Sequence, residues 1–197
     1  MFQELIEYYQ SKSVDLTPEL MELMHLTLSE RTVKKGEILV QPGELNEQFY
    51  FVAKGLLRGY TTDLHGKEHI LQFAPENWII SDRSSVFFKE SSNQFVEAVE
   101  NSKVVILNED FLTKACQINP SFMMYNLKAL NNHIRQLQRR INLLLSAPAE
   151  VRYLDFIKLY PDITLRVPQW MIASYLGITP ESLSRVRKEL ANKNFRV

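Results

Sequence analysis

Residues 172–186 read Ile172-Ala173-Ser174-Tyr175-Leu176-Gly177-Ile178-Thr179-Pro180-Glu181-Ser182-Leu183-Ser184-Arg185-Val186, and the fold turns on how they are taken. Ala173 and Gly177 stand four apart: a small residue where two helices can meet closely, then a glycine for a tight turn. Ile172, Leu176, Ile178, Leu183 and Val186 fall at the positions that two packed helices bury. That arrangement is a helix-turn-helix. Thr179-Pro180-Glu181 opens the second helix with a threonine N-cap, a proline at the first helical position and a carboxylate at the positive helix end.

Leu183, Val186 and Leu190 set the buried side of that second helix. At about 100° per residue, Glu181, Arg185 and Lys188 point the opposite way, with Ser182 and Ser184 on the flanks. Laid in a major groove, Arg185 would donate bidentately to a guanine edge and Glu181 would accept from cytosine N4. Thr179, Ser182 and Lys188 suit phosphate contacts, as does Gln169 at the start of the first helix; these position rather than specify. Pro180 and Ser184 complete the candidate DNA-facing set. The other use of Glu181 and Arg185 is an exposed i,i+4 ion pair stabilising the helix by a few tenths of a kcal/mol, roughly. Both hold if the pair opens on binding.

Working toward the N-terminus, Pro168 opens the first helix of the motif and Ile163–Val167 reads as a short strand. Pro161 ends a helix over about 149–159, and Ser146-Ala147-Pro148 reads as a hinge. Before the hinge runs a long helical stretch opened by Asn119-Pro120. Its apolar residues are Met123, Leu127, Leu130, Ile134, Leu137, Ile141 and Leu144, at gaps alternating between four and three. Leu127, Ile134 and Ile141 occupy one heptad position; Met123, Leu130, Leu137 and Leu144 occupy the other. Mostly β-branched residues at a with leucine at d favour a parallel two-stranded coil, so a homodimer is expected. Leu143 and Leu145 widen the apolar face enough for the helix to pack on its own domain as well. His133 lies beside the seam, and no second ligand is spaced to make it a metal or haem site.

The front of the chain reads differently. Two short helical patterns (about 2–11 and 18–28) are followed by turns at Lys35-Gly36-Glu37, Pro42-Gly43, Gly55 and His65-Gly66. Between and beyond them lie short apolar runs: Ile38–Val40, Phe49–Val52, Leu56–Thr61, His69–Phe73, Phe95–Val99 and Lys103–Leu107. Short strands at this spacing predict an antiparallel barrel or jelly roll. The fold class is therefore α+β: an antiparallel β-roll over 1–118, a dimerisation helix over 119–145 and a helix-turn-helix domain over 146–197.

Charge follows the same division. The 197 residues carry 23 basic and 23 acidic side chains and a net charge of zero. Residues 1–110 hold 10 Lys/Arg and 18 Asp/Glu, residues 111–145 hold five basic residues and no acid, and residues 146–197 hold eight basic and five acidic. An acidic front joined to a basic back points to nucleic-acid contact by one part only. With 45% hydrophobic residues the chain supports packed cores, which excludes a disordered protein. It has no apolar run long enough to span a membrane, and its start, MFQELIEYYQ, lacks a signal peptide's layout. The single Cys116 excludes an internal disulfide. A cytoplasmic protein is expected.

The front stretch resembles the cyclic-nucleotide-binding β-roll through Gly36-Glu37, Pro42-Gly43, Phe49-Tyr50-Phe51-Val52, Gly55 and Gly66-Lys67-Glu68 before Leu71-Gln72-Phe73. The order β-roll, long helix, helix-turn-helix resembles the Crp/Fnr family of bacterial transcription regulators along essentially the whole chain. Ile178-Thr179-Pro180-Glu181-Ser182-Leu183-Ser184-Arg185-Val186 is similar to that family's recognition helix. The resemblance implies a homodimer on two-fold symmetric promoter DNA, contact with RNA polymerase, and an effector in the β-roll that reorients the DNA-binding domains. It also implies an effector pocket at Trp78, Ile80, Ser81, Arg83 and Gln94. In the family a glycine-glutamate pair takes the ribose and an arginine neutralises the cyclic phosphate. Here Ile80-Ser81 and Asn93-Gln94 stand in those places. A buried phosphate would lack its charge-assisted partner, so cyclic AMP is not the expected ligand. No cofactor and no metal are expected, and the cysteines of an Fnr-type iron–sulfur cluster are missing. The end of the chain, Asn192-Lys193-Asn194-Phe195-Arg196-Val197, implies a short or missing β-wing.

Two other functions compete with this reading. One is a ligand-responsive β-roll whose helical tail docks a protein instead of DNA. The other is an enzyme, which the sequence opposes: the four histidines and one cysteine form no nucleophile–base spacing, and no glycine-rich phosphate loop occurs in helical context. His65 and His69 are a metal pair by number alone; a hairpin surface explains them more simply.

Overall fold

The computed structural model of the protein describes residues 1–194. It divides into two compact units, Met1–Thr62 with Leu71–Asn131, and Asp63–Ile70 with Asn132 onward. In chain order the elements are α1 (Gln3–Ser11), α2 (Pro18–Thr27), β1 (Ser29–Val33), β2 (Ile38–Val40), β3 (Gln48–Lys54), β4 (Leu57–Thr62), β5 (Glu68–Ala74) and β6 (Ile79–Ile80). They continue with α3 (Arg83–Phe88), β7 (Phe95–Ala98), β8 (Ser102–Asn108), α4 (Glu109–Ile118), α5 (Pro120–Ser146), α6 (Ala149–Leu159), α7 (Ile163–Arg166), α8 (Gln169–Leu176) and α9 (Pro180–Asn194).

The expected β-roll is present as two four-stranded sheets, ordered β1-β8-β3-β6 and β2-β7-β4-β5. Alternation along β3 explains how one strand serves two cores. Phe49 and Phe51 face α1, α2 and α4, packing with Leu5, Tyr9, Met24 and Phe111. Tyr50 and Val52 face the second sheet, with Val96, Ala98 and Leu57. Buried on both faces, the strand shows an unbroken apolar run rather than polar alternation. The turn before β4 requires glycine: Gly55 has φ +96°, and a Cβ there would lie 2.3 Å from Ser102 Oγ. β1 and the two-residue β6 escaped the sequence reading. Their strand character comes from pairing, Ser29–Val33 on Ile106–Ser102 and Ile80 and Ile79 on Tyr50 and Phe51.

The long helix starts where Asn119-Pro120 indicates, the Asn119 side chain accepting the Phe122 amide at 2.9 Å. It ends at Ser146, before Ala147-Pro148. The unit boundary falls inside it, and the second unit also claims the tip between β4 and β5. In that unit Phe156, Tyr160 and Tyr175 form an aromatic cluster with ring centroids 5.3–5.7 Å apart. One expectation is corrected. Ile163–Val167 is a helical turn, not a strand, with Val167 N–H donating to the Ile163 carbonyl at 3.1 Å. Burial shows why: Ile163 and Val167, four apart, are buried while Leu165 between them is 88% exposed. A strand would have buried all three on one side.

Candidate nucleic-acid interface and sensor loop

α8 and α9 form the helix-turn-helix. Gly177 ends α8 in the left-handed region (φ +65°), and the amides of Gly177 and Ile178 close the turn on the carbonyls of Ser174 and Ala173 at 3.1 and 3.0 Å. Ile172, Ala173, Leu176, Leu183 and Val186 are buried, as their spacing predicts; Ile178 is half-buried. Thr179 caps α9 through its side-chain oxygen, which accepts the Ser182 amide at 3.2 Å. Thr179, Pro180, Glu181, Ser184, Arg185 and Lys188 are exposed on one side of the motif, with Ser182 half-buried beside them.

Glu181 stands in the first turn of α9, where its own amide and the Thr179 side chain hold its carboxyl below the usual range. Among the described residues no ion pair joins it to Arg185. Among the described residues no carboxylate pairs with Arg185, so its donors face outward. Gln169 is only partly available: it is half-buried, and its Oε1 is buried without a hydrogen-bond partner. Of the stretch 192–197 on which a short or missing β-wing was expected, 192–194 belong to α9 and the rest lies outside the described residues.

The seam of α5 is open. Met123, Leu127, Leu130, Ile134, Leu137, Ile141 and Leu144 are each 38–55% exposed, whereas Phe122 on the same helix is buried. Among the described residues no helix is long and apolar enough to cross a membrane, and no cluster of His, Cys, Asp and Glu is arranged to hold a metal. His69 instead bonds Asp63 at 3.0 Å.

The five residues assigned to an effector pocket do not converge. Ile80, Ser81 and Gln94 do meet: Gln94 Nε2 donates to the Ser81 carbonyl at 3.4 Å, and a Cβ on Gly59 would touch both Ile80 and Gln94. Trp78 packs at the margin of the same core. Arg83 turns elsewhere, its guanidinium over the rings of Phe49 and Phe87 at 5.8 and 5.0 Å, and partial desolvation there lowers its pKa. The reason lies in Asp82, between Ser81 and Arg83. Asp82 is 5% exposed and caps α3, its Oδ1 accepting the amides of Ser84 and Ser85 while Oδ2 accepts the Ser92 hydroxyl at 2.8 Å. Arg83 thus becomes the first helical residue, with its side chain outside the inter-sheet core. Asn46 completes the network, its amide donating to Ser85 Oγ at 2.6 Å and its Nδ2 to the Gln48 carbonyl at 2.8 Å. An aspartate directly before Arg83-Ser84-Ser85 is an N-cap signal; the partners Ser92 and Asn46 lie too far along the chain for any local pattern.

A family model described as a cyclic nucleotide-binding domain matches residues 30–119. The chain is 25% identical over 179 residues to the anaerobic regulatory protein of Haemophilus influenzae, covering 85% of this chain and 69% of that one. The Pasteurella multocida anaerobic regulatory protein matches equally, at 25% over 179 residues, with 65% of its length covered. The chain thus spans about two thirds of the length of these relatives. The solved structure of FixK2 from Bradyrhizobium japonicum superposes with a TM-score of 0.72 at 23% identity, covering 85% of this chain and 86% of that one. Residues 30–119 are thus similar to a cyclic nucleotide-binding domain, and the fold is similar to that of FixK2. Compared with the pattern that the resemblance to Crp/Fnr regulators implies, this chain keeps the glutamate and arginine of the recognition helix. It fills the loop before α3 with its own carboxylate and hydroxyls.

Proposed function

We propose that the protein is a sequence-specific, DNA-binding transcription regulator acting as a homodimer on two-fold symmetric promoter sites. The observation that carries this is the outward face of α9, where Arg185 is exposed and, among the described residues, meets no carboxylate, beside a Thr179-capped helix start. A guanidinium free of internal carboxylates can donate both its parallel N–H groups to one guanine edge. Two copies joined along α5 would set their recognition helices about 34 Å apart, one duplex turn. The dimer works in the cytoplasm with RNA polymerase as a partner, and binds DNA rather than catalysing a reaction. Control runs through a population shift between orientations of the DNA-binding helices about the Ser146–Pro148 hinge.

Cyclic AMP is not the effector in this reading. Three features support that: Ile80-Ser81 and Asn93-Gln94 replace the ribose and phosphate ligands, the Asp82 carboxylate takes the α3 amides, and Arg83 lies on the Phe49 and Phe87 rings. A second anion beside Asp82 would be repelled in a poorly hydrated loop. The test is selection of bound duplexes from a random library with the purified protein. A two-fold symmetric consensus is expected, and Arg185→Ala should lose about 1–3 kcal/mol on it while relaxing one position per half-site. Unchanged sequence preference in Arg185→Ala removes Arg185 from base reading; no salt-dependent duplex binding removes the DNA function and favours a docked protein.

A further inference from the structure

Arg140 precedes Ile141 of the α5 seam, yet its guanidinium is directed to other elements of the second unit. One Nη2 donates to the Ile70 carbonyl at 2.9 Å and to the Tyr175 carbonyl at 3.2 Å, and the guanidinium plane lies 4.0 Å from the Tyr175 ring centre. The neighbouring residue on α8 completes the contact. The Ser174 hydroxyl donates to the Glu68 carbonyl and accepts the Ile70 amide, each at 3.0 Å. Ser174 thereby does for residues 68 and 70 what a neighbouring strand would do, since β5 is an edge strand with backbone groups to satisfy. Arg152 of α6 donates to the Leu176 carbonyl at 2.8 Å, so the negative end of α8 is met by two arginines. The turn glycine, Gly177, sits so near Leu144 of the seam that a Cβ would come within 3.3 Å of it.

Four elements meet at this node: the dimer helix, the β4–β5 tip, α6 and the first helix of the DNA-binding motif. None of the contacts uses a residue of the α9 reading face. We propose that Arg140 and Ser174 are positioning residues that fix the bearing of the helix-turn-helix on the dimer helix, and so set the half-site spacing that the dimer accepts. The proposal rests on the DNA-binding homodimer proposed above. Its physical basis is that Arg140 is rigidly tied at both ends. It springs from the helix that carries the two-fold seam, and it ends on carbonyls and a ring whose position defines α8. Without it, the link from seam to motif is the Ala147-Pro148 connection and the packing of α6. A dimer then tolerates a wider range of separations between its two recognition helices.

The experiment uses duplexes recovered by the selection above. They are resynthesised with half-site centres one base pair nearer or farther than the best spacing, which is roughly 10 base pairs, and with one half-site scrambled. Affinities are measured for the native chain, Arg140→Ala, Arg140→Lys and Ser174→Ala. The native protein should lose about tenfold per base pair of misfit. Arg140→Ala and Ser174→Ala should flatten that to less than about threefold while keeping single-half-site affinity within about twofold. Arg140→Lys, which keeps the charge but has a shorter reach and no planar guanidinium to lie on the Tyr175 ring, should behave as Arg140→Ala does. Hydrogen exchange at the Ile70 amide should accelerate about tenfold in Ser174→Ala, since that amide loses its acceptor. A native spacing profile in both alanine variants overturns the proposal. So does a uniform loss at every spacing and at the single half-site in Ser174→Ala, because that is the mark of simple structural support. A native chain that binds no duplex overturns the DNA reading itself and is recognised before any variant is made.

Discussion

Leu137 sits at the middle of the α5 seam and is 46% exposed in the single chain. Burying a whole leucine side chain stabilises by about 1.5–3 kcal/mol. Closing a partner helix over nearly half of that surface therefore contributes about 1 kcal/mol per protomer, and a symmetric dimer gains it on both copies. Truncation to alanine also leaves an unfilled hole at a knob position, which raises the loss to about 3 kcal/mol for the dimer. At about 1.4 kcal/mol per decade, Leu137→Ala should weaken the dimer Kd by roughly 30- to 150-fold. Sedimentation equilibrium across a concentration series reads this directly. Lys128→Ala, on the same helix but off the seam, serves as the control and should leave the Kd unchanged. Operator affinity should fall with dimerisation in Leu137→Ala and recover at high protein concentration. A Leu137→Ala dimer within about threefold of native, or an equal loss in Lys128→Ala, would refute the seam as the dimer contact.

Gly55→Ala should destabilise the β-roll by about 2–4 kcal/mol in denaturant unfolding, because the residue has φ +96° and its Cβ would overlap Ser102; a loss under about half a kcal/mol contradicts the turn geometry. Asp82→Ala removes the acceptor of two backbone amides and a buried hydroxyl and should cost about 2–4 kcal/mol. Asp82→Asn, which can still cap α3, should cost clearly less, and equal costs would mean that the cap is not what matters. Burial pushes the Tyr50 phenol from 10.0 up to about 12, and pushes Tyr9 and Tyr125 upward as well. A phenol held protonated in the folded state contributes stability in full below its ordinary pKa and loses it as pH rises through the folded value. Stability should thus hold to about pH 10 and fall between about 10 and 12, with phenolate absorbance rising together with loss of circular dichroism. Ionisation of all eight tyrosines near pH 10 without unfolding would contradict their burial.

The parts legible from sequence share one property: their physics repeats at short range. The helix-turn-helix could be read because Ala173, Gly177, Thr179 and Pro180 each do a local job, and Leu183 and Val186 keep a helical period. The seam could be read because seven residues hold one heptad phase from Met123 to Leu144. The paired-sheet region could be read from its glycine turns and short apolar runs. Where the local signal was mixed, the reading failed. Ile163–Val167 is rich in β-branched residues, yet burial of Ile163 and Val167, four apart, goes with a helical turn. The effector-pocket residues were placed by position in the chain, and Arg83, for which a surface or structural role was the stronger expectation, lies over the Phe49 and Phe87 rings beside the Asp82 cap.

The sequence by itself thus determined the order of modules, the face of α9 offered to a duplex and the phase of the dimer helix, since each follows from side-chain type and spacing along one element. Only the tertiary structure decided what the sensor loop holds and what steadies the DNA-binding motif. Asp82 meets Ser92, Asn46 meets Ser85, and Arg140 meets Ile70 and Tyr175, across separations of 10 to 70 residues. Such pairs are selected by the geometry of packed elements and leave no periodic trace in the chain. The spacing of Glu181 and Arg185 likewise allows an ion pair, and among the described residues none is formed.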